Sequence, residues 1–309
     1  RPAAVSSTED PHGEERLQPG LEALSRDEKT FEHNVALMQS YPGFGHVSGT
    51  PVQKAEQIIE ILKDNLIWLY NNWDNGLKNR SKLWYVGGNR VIHRWSKRFS
   101  MDPHKVAAVI AAMSPQQDWF NNVSLAERVL VAMREQPDYK WDKAMTDVVF
   151  NGSATSVDED EESSDEETEG SGSGWGGTIV KGLGMSPQDL LSTLEGKSLR
   201  DLEGTDPESI YRMAIWIRAW DQAHNPNWHR TLTPEGEFGD WARSKDGTPG
   251  ASRWGSFSEI SKAIRAVEAQ GPREISELVS TNHKVRSFYN NLIAPQSKSG
   301  DGTIDTPAV

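Results

Sequence analysis

A chain of 309 residues with 36% hydrophobic content and 12 Trp has enough apolar surface for a substantial core, while its formal charge of −12 argues at face value against a partner as anionic as nucleic acid. That charge is concentrated: Asp158 to Glu169 holds nine carboxylates and no base, which leaves the rest of the chain near −3. Zero cysteines exclude disulfides, Cys-ligated zinc, iron–sulfur clusters and a thiol nucleophile, and the absence of a long apolar run or a signal-type leader points to an intracellular protein without a membrane span. Residues 1–28 are polar, rich in Pro, Glu and Ser, and read as a disordered arm preceding a single domain over 29–309. The first strong helical pattern runs from Val52 to Trp73, with Ala55, Ile58, Ile59, Leu62, Leu66, Leu69 and Tyr70 at three- and four-residue steps. A second helix, from about Gly88 to Phe99, is basic and aromatic at once through Arg90, His93, Arg94, Trp95, Lys97 and Arg98.

Asp102-Pro103 has the form of an N-cap with proline at the first helical position, and opens the run Val106 to Met113. Alanine on nearly every face predicts a helix buried on most sides. Ser114-Pro115 ends it, and helical spacing resumes from Asn122 to Arg134. Residues 151–177 are Ser, Gly, Asp and Glu, a disordered acidic insertion whose apolar ends, Val148 to Phe150 and Trp175, place it inside one domain. Its composition is that of a solvated segment, with mimicry of nucleic acid or binding of a basic partner as the sharper alternative. Helices are then predicted over 186–194, 207–223, 257–268, 272–278 and 284–293. Between them, residues 225–256 form a long Pro/Gly/Trp loop with a hairpin near Asp246-Gly247, and loops of that length tend to carry function. Persistent strand alternation is absent, so the predicted fold class is all-α.

Three segments, in order, resemble the helix-hairpin-helix DNA glycosylase superfamily. Val106 to Phe120, with Ser114-Pro115-Gln116-Gln117-Asp118, is similar to the buried helix and the polar turn that open that family's catalytic region. Leu278 to Leu292, containing Ser280, Asn282, His283 and Lys284, resembles its hairpin followed by a helix, and Thr303-Ile304-Asp305-Thr306 resembles the signature around its essential aspartate. Together with Asn89 to Trp95, these segments look most like phage-encoded members, some of which are linked to thymine hypermodification.

The resemblance implies a two-lobed helical fold with a cleft, DNA as partner, and either base excision or transfer of an amine or amino acid to an activated 5-hydroxymethyluracil base. No metal or organic cofactor is implied, and for a phage protein the location would be the host cytoplasm. Lys284 falls where lyase members hold their Schiff-base lysine, and Asp305 where catalytic members hold their aspartate. An amine can serve as nucleophile once it is partly desolvated, and a carboxylate opposite the sugar stabilises developing positive charge. In the hypermodification reading Asp305 acts as base toward the incoming amine and Lys284 need form no covalent intermediate. Gln116, Gln117 and Trp119 would line the base pocket, since amides present donor and acceptor together to a base edge. Ser280, Asn282, His283 and Arg286 in the hairpin, with Arg90 and Arg94, would contact DNA.

The chain departs from the family at several of these positions. Ser280 and Asn282 stand where hairpin glycines normally approach phosphate, and Pro307 replaces the signature histidine. Family members continue with helices past the signature whereas this sequence stops at Val309, which reads either as a piece of a longer product or as a chain whose Asp305 sits on a loose terminus. These departures favour the alternative, a catalytically inactive nucleic-acid-binding or virion-associated protein. Bland readings accompany each residue: Lys284 as a surface lysine, Asp305 as an N-cap, the glutamines as partners for backbone where Pro115 breaks the helix, and Arg90 to Arg98 as a solvated face over a buried Trp95. His224 and His229 flank Trp228 with no third residue at metal spacing and read as loop residues. Trp68, Trp216 and Trp220 lie in apolar helix patterns and are predicted core.

Overall fold

The computed structural model describes residues 28–151, 175–279 and 283–297. At its centre is helix α4 (Pro103–Ala112), where every side chain from Val106 to Met113 is buried. Asp102 caps it, its carboxylate accepting from the His104 N–H at 2.8 Å. Alanines at 107, 108, 111 and 112 keep the helix thin, so α5 (Trp119–Glu135), α11 (Phe257–Glu268), α12 (Pro272–Val279) and α13 (His283–Ile293) pack against it together. A second tier forms on α10 (Pro207–His224), which packs against α5, α11, α6 (Lys143–Phe150) and α9 (Leu199–Leu202). Trp216 and Trp220 of α10 are buried as predicted and stack at 6.3 Å. Short helices α7 (Gly176–Leu183) and α8 (Pro187–Leu194) complete the set. The fold is all-α apart from one small ribbon, and no helix among the described residues is long and apolar enough to cross a membrane.

The described residues form two compact units, divided between Tyr85 and Val86. The smaller comprises α1 (Glu28–Ser40), α2 (Pro51–Asn72) and the beginning of α3 (Asn75–Phe99). Helix α1 escaped the sequence reading because Phe31, Val35 and Met38 are too few to establish a helical period. The core of this unit is small: Phe44, Val47 and Ile58, with Met38, Ile61 and Leu62 against them. A capping box between Thr50 and Gln53 starts α2. Of the residues whose spacing predicted α2, Ile59, Leu66, Leu69 and Tyr70 are exposed, and so is Trp68, contrary to the expectation that it is core. Only the stripe Ile58, Ile61 and Leu62 has neighbours to cover it.

Residues 225–256 are more ordered than a long loop. Strands β1 (Arg230–Leu232) and β2 (Phe238–Trp241) pair antiparallel, and bridges Trp228 to Ala251 and Arg243 to Pro249 add a third segment. The three segments close on one another at His229, Ala242 and Gly250: His229 N–H donates to Gly250 O, Ala242 N–H to His229 O, and Gly250 N–H to Ala242 O. The predicted Asp246-Gly247 turn joins the second and third segments, with Gly247 at φ 86°. The first turn, Thr233-Pro234-Glu235-Gly236, places proline where φ near −65° suits it and glycine at φ 82°. This turn lies directly on α3, where a Cβ added at Gly87 would run into the carbonyl oxygen of Pro234. Trp95, buried as the bland reading held, stacks on Phe238 at 6.3 Å.

Candidate functional site

Beneath the ribbon is an open cleft of about 870 Å³, whose lining includes Gln116, Gln117 and Asn121 from the α4–α5 junction, Arg218 from α10, and Arg243, Arg253 and Trp254 from the ribbon. The junction is tightly built. Gln116 sits at φ 57°, a backbone conformation that costs a non-glycine residue about 1–3 kcal/mol and persists only where surroundings enforce it. Gln117 N–H returns to Ser114 O at 3.3 Å, and Asp118 caps α5 by accepting from Phe120 and Asn121 N–H groups at 2.9 and 3.0 Å.

Buried Asn121 fastens this turn to the ribbon's exit. Its Nδ2 donates to Gln117 Oε1 and, at 3.0 Å, to Arg253 O, while its Oδ1 accepts from Arg253 N–H at 3.3 Å. A second anchor is ionic. Arg128 of α5 pairs with Asp221 of α10 at 2.7 Å, with Asp221 only 1% exposed, and donates also to the carbonyls of Pro226 and Trp228. Asp221 further accepts from Trp254 Nε1 at 2.9 Å and from Asn225 Nδ2 at 2.9 Å. Every charge in that network is matched by hydrogen bonds, which is the condition for a buried ion pair to be tolerated, and loss of either partner would strand the other.

Three arginines line the cleft. Arg243 and Arg253 are exposed, the former donating to Gly247 O at 2.7 Å, and Arg218 lies over the rings of Trp175 and Phe257 at 4.9 and 5.4 Å. Asp118 is the carboxylate on this lining, so three arginines face one negative charge here within a chain of net charge −12. At its edge Ser256 and Glu259 form the capping box of α11. Burial pushes the Glu259 carboxyl above its ordinary value, against the Ser256 N–H and the positive charges of Lys262 and Lys284.

The predicted residues are therefore distributed as follows. Gln116 and Gln117 line the cleft, and the charge of half-buried Lys284, in the first turn of α13, is felt at Glu259 on its rim. Trp119 does not line the cleft: it turns to the opposite side, edge-on to Phe288 at 6.0 Å and against Gly88. Arg286 is only 4% exposed, because the face of α13 bearing Val285, Phe288 and Tyr289 is the face packed inward, so its guanidinium has no surface to offer a phosphate. Arg94 pairs with Glu237 of the ribbon and Arg98 with Glu127 and Glu135, so that part of the basic stripe of α3 is internally neutralised, while Arg90 is exposed. The His283 side chain, Ser280, Asn282 and Asp305 lie outside the described residues. Among described residues, no three His, Asp or Glu groups converge as a metal site; His224, in the last turn of α10, has its Nε2 3.1 Å from Asp142 Oδ2.

Sequence reasoning missed Asn121, Arg218, Arg243, Arg253, Trp254 and Glu259. The available signal was Arg253-Trp254 within the segment marked as functional, followed by Ser256 and Glu259 at capping-box spacing. The model of a family of unknown function (DUF7178) matches residues 49–154, a span that includes Gln116, Gln117, Asn121 and Arg128 but not the cleft's arginines. No curated protein and no solved structure matches the chain.

Proposed function

We propose that this chain binds nucleic acid in the cleft beneath the ribbon and acts there on a base, within a fold like that of the helix-hairpin-helix DNA glycosylases. The observation that carries the reading is the convergence of Arg218, Arg243 and Arg253 with the Gln116-Gln117 pair and Trp254 on one open cleft. Guanidinium groups suit phosphates, amides suit base edges, and an indole suits a base face. The likeness to the glycosylase fold is supported by α12 and α13, two helices separated by residues 280–282 and packed on buried α4. For base excision Lys284 supplies the attacking amine, whereas for amine transfer the amine comes from a co-substrate and Asp305 acts as its base; Glu259 is a carboxyl group within electrostatic reach of Lys284. The chemistry is base excision or amine transfer to a modified thymine.

A second reading, a binder without turnover, is favoured by one detail. Gln117 Oε1 already accepts from Asn121, so part of the edge that would read a base is used within the protein. Fluorescence anisotropy with single-stranded and duplex oligonucleotides, some carrying uracil or 5-hydroxymethyluracil, tests both. Binding should weaken steeply between about 50 and 200 mM salt, and Arg243→Ala with Arg253→Ala should reduce the log–log salt slope by roughly 2. Absence of binding at low salt would overturn the proposal. Turnover by the wild type that is lost in Lys284→Ala identifies the enzyme; binding without turnover identifies the binder.

A further inference from the structure

We infer that the ribbon carries a second nucleotide subsite, in which an unpaired base of a single strand stacks on Trp228 and Trp241 while Arg230 meets its phosphate. The inference rests on the reading that the adjoining cleft takes nucleic acid, and it names the form of that ligand as single-stranded. Side chains alternate along a strand, so Trp228 and Arg230 share a face, and the register sets Trp241 opposite Arg230. The two indoles meet edge to face at 5.9 Å, and the Arg230 guanidinium lies over the Trp241 ring at 5.5 Å. Trp228 is 45% exposed and Trp241 40%, so a large part of each ring stands in solvent.

These residues line a pocket of about 320 Å³ between the ribbon, the end of α3 and α5, a size at the lower end of the range for small-ligand sites. Its charges favour an anion. Arg98 pairs with Glu127 and Glu135, and Arg128 with Asp221, so both are balanced within the protein. Arg230 is exposed and has no carboxylate partner among the described residues. An indole face suits any base and a guanidinium beside it suits a phosphate, a combination that holds single strands. Bases in a duplex are stacked on one another and offer the indoles no free face. The pocket also adjoins the cleft: His229 lines both, and Arg243, two positions beyond Trp241, lines the cleft. A strand lying against Arg243 reaches Trp241 by following that segment of the ribbon.

Fluorescence anisotropy at low salt with a labelled oligothymidylate of about 12 nucleotides, and with a duplex of equal length, tests the inference. Trp228→Ala with Trp241→Ala should weaken single-strand binding on the order of tenfold and duplex binding by less than about twofold. Trp228→Phe with Trp241→Phe should restore most of the affinity, because a ring face remains. Arg230→Ala should lower the log–log salt slope by about 0.7, and it decides the matter where the alanine pair lowers the melting temperature. Unchanged single-strand affinity in the alanine pair, with a loss in Arg243→Ala with Arg253→Ala, would overturn the subsite and keep the cleft. The reverse pattern would keep the subsite and overturn the cleft. Equal losses on single strand and duplex would also overturn the inference, and a wild type that binds neither oligonucleotide removes both readings.

Discussion

In α4 the side chains from Val106 to Met113 are buried on every side, whereas in α2 Ile58 is buried and Ile59, Leu66 and Trp68 stand in solvent. Both helices are rich in apolar residues, and what separates them is side-chain size and spacing. Alanine lets neighbouring axes approach to about 8–10 Å from several directions at once, so α4 can be a hub. The large residues of α2 are too bulky for such crowding and are ordered along lines, each line needing its own partner. Hydrophobicity thus marks what must be covered, and side-chain volume limits how many neighbours can do the covering.

The sharpest way to break that contrast is to delete comparable side chains in covered and uncovered helices. Trp216→Ala in α10 should cost about 3–5 kcal/mol of unfolding free energy, whereas Trp68→Ala in α2, where the indole is exposed, should stay within about 0.5 kcal/mol. Urea denaturation of both variants measures the difference, and similar losses would mean that the exposed face of α2 is covered within the chain. A smaller effect is expected at Gly87, where alanine ordinarily strengthens a helix. Here its Cβ meets the Pro234 carbonyl, a backbone atom that cannot rotate aside, so Gly87→Ala should destabilise by about 1–3 kcal/mol. Stabilisation instead would show that the ribbon is not seated on α3.

The smallest effect concerns Glu259. Its carboxyl is raised chiefly by burial, so the folded chain holds that proton more tightly than the unfolded one. The stability this contributes is present below the ordinary value of 4.5 and is lost as pH rises through the folded value. Glu259→Gln keeps a carbonyl acceptor for the Ser256 N–H, so melting temperature should rise slightly at neutral pH and be unchanged in acid. A drop at neutral pH would mean that the charge of Glu259 is needed by Lys262 or Lys284.

Features governed by neighbours in the chain were legible in advance. Asp102-Pro103 announces α4, and the period over 257–268 matches α11, because caps and amphipathic spacing depend on residues a few positions apart. The cleft was legible only in part. Gln116 and Gln117 follow a helix break that can be read locally, but Arg128 and Asp221 meet across 93 positions, and the third ribbon segment pairs through single bridges too sparse to leave an alternating pattern. Arg218 shows the limit clearly: on a helix wheel it is one cation among apolar neighbours, and its placement over Trp175 and Phe257 depends on where α7 and α11 arrive. Trp119 and Arg286 show the converse, since proximity to a motif in sequence said nothing about which way each side chain would turn.

The two ends of the acidic segment touch. A Cβ at Gly176 would fall 2.7 Å from Val149 Cγ1 and 2.8 Å from Phe150 Cε1, so the chain leaves and re-enters the helical body at one point. Closing a loop between adjacent anchors costs only about 0.6 kcal/mol more for each doubling of its length. The point of re-entry is itself constrained, because Gly176 has no room for a side chain between Val149 and Phe150.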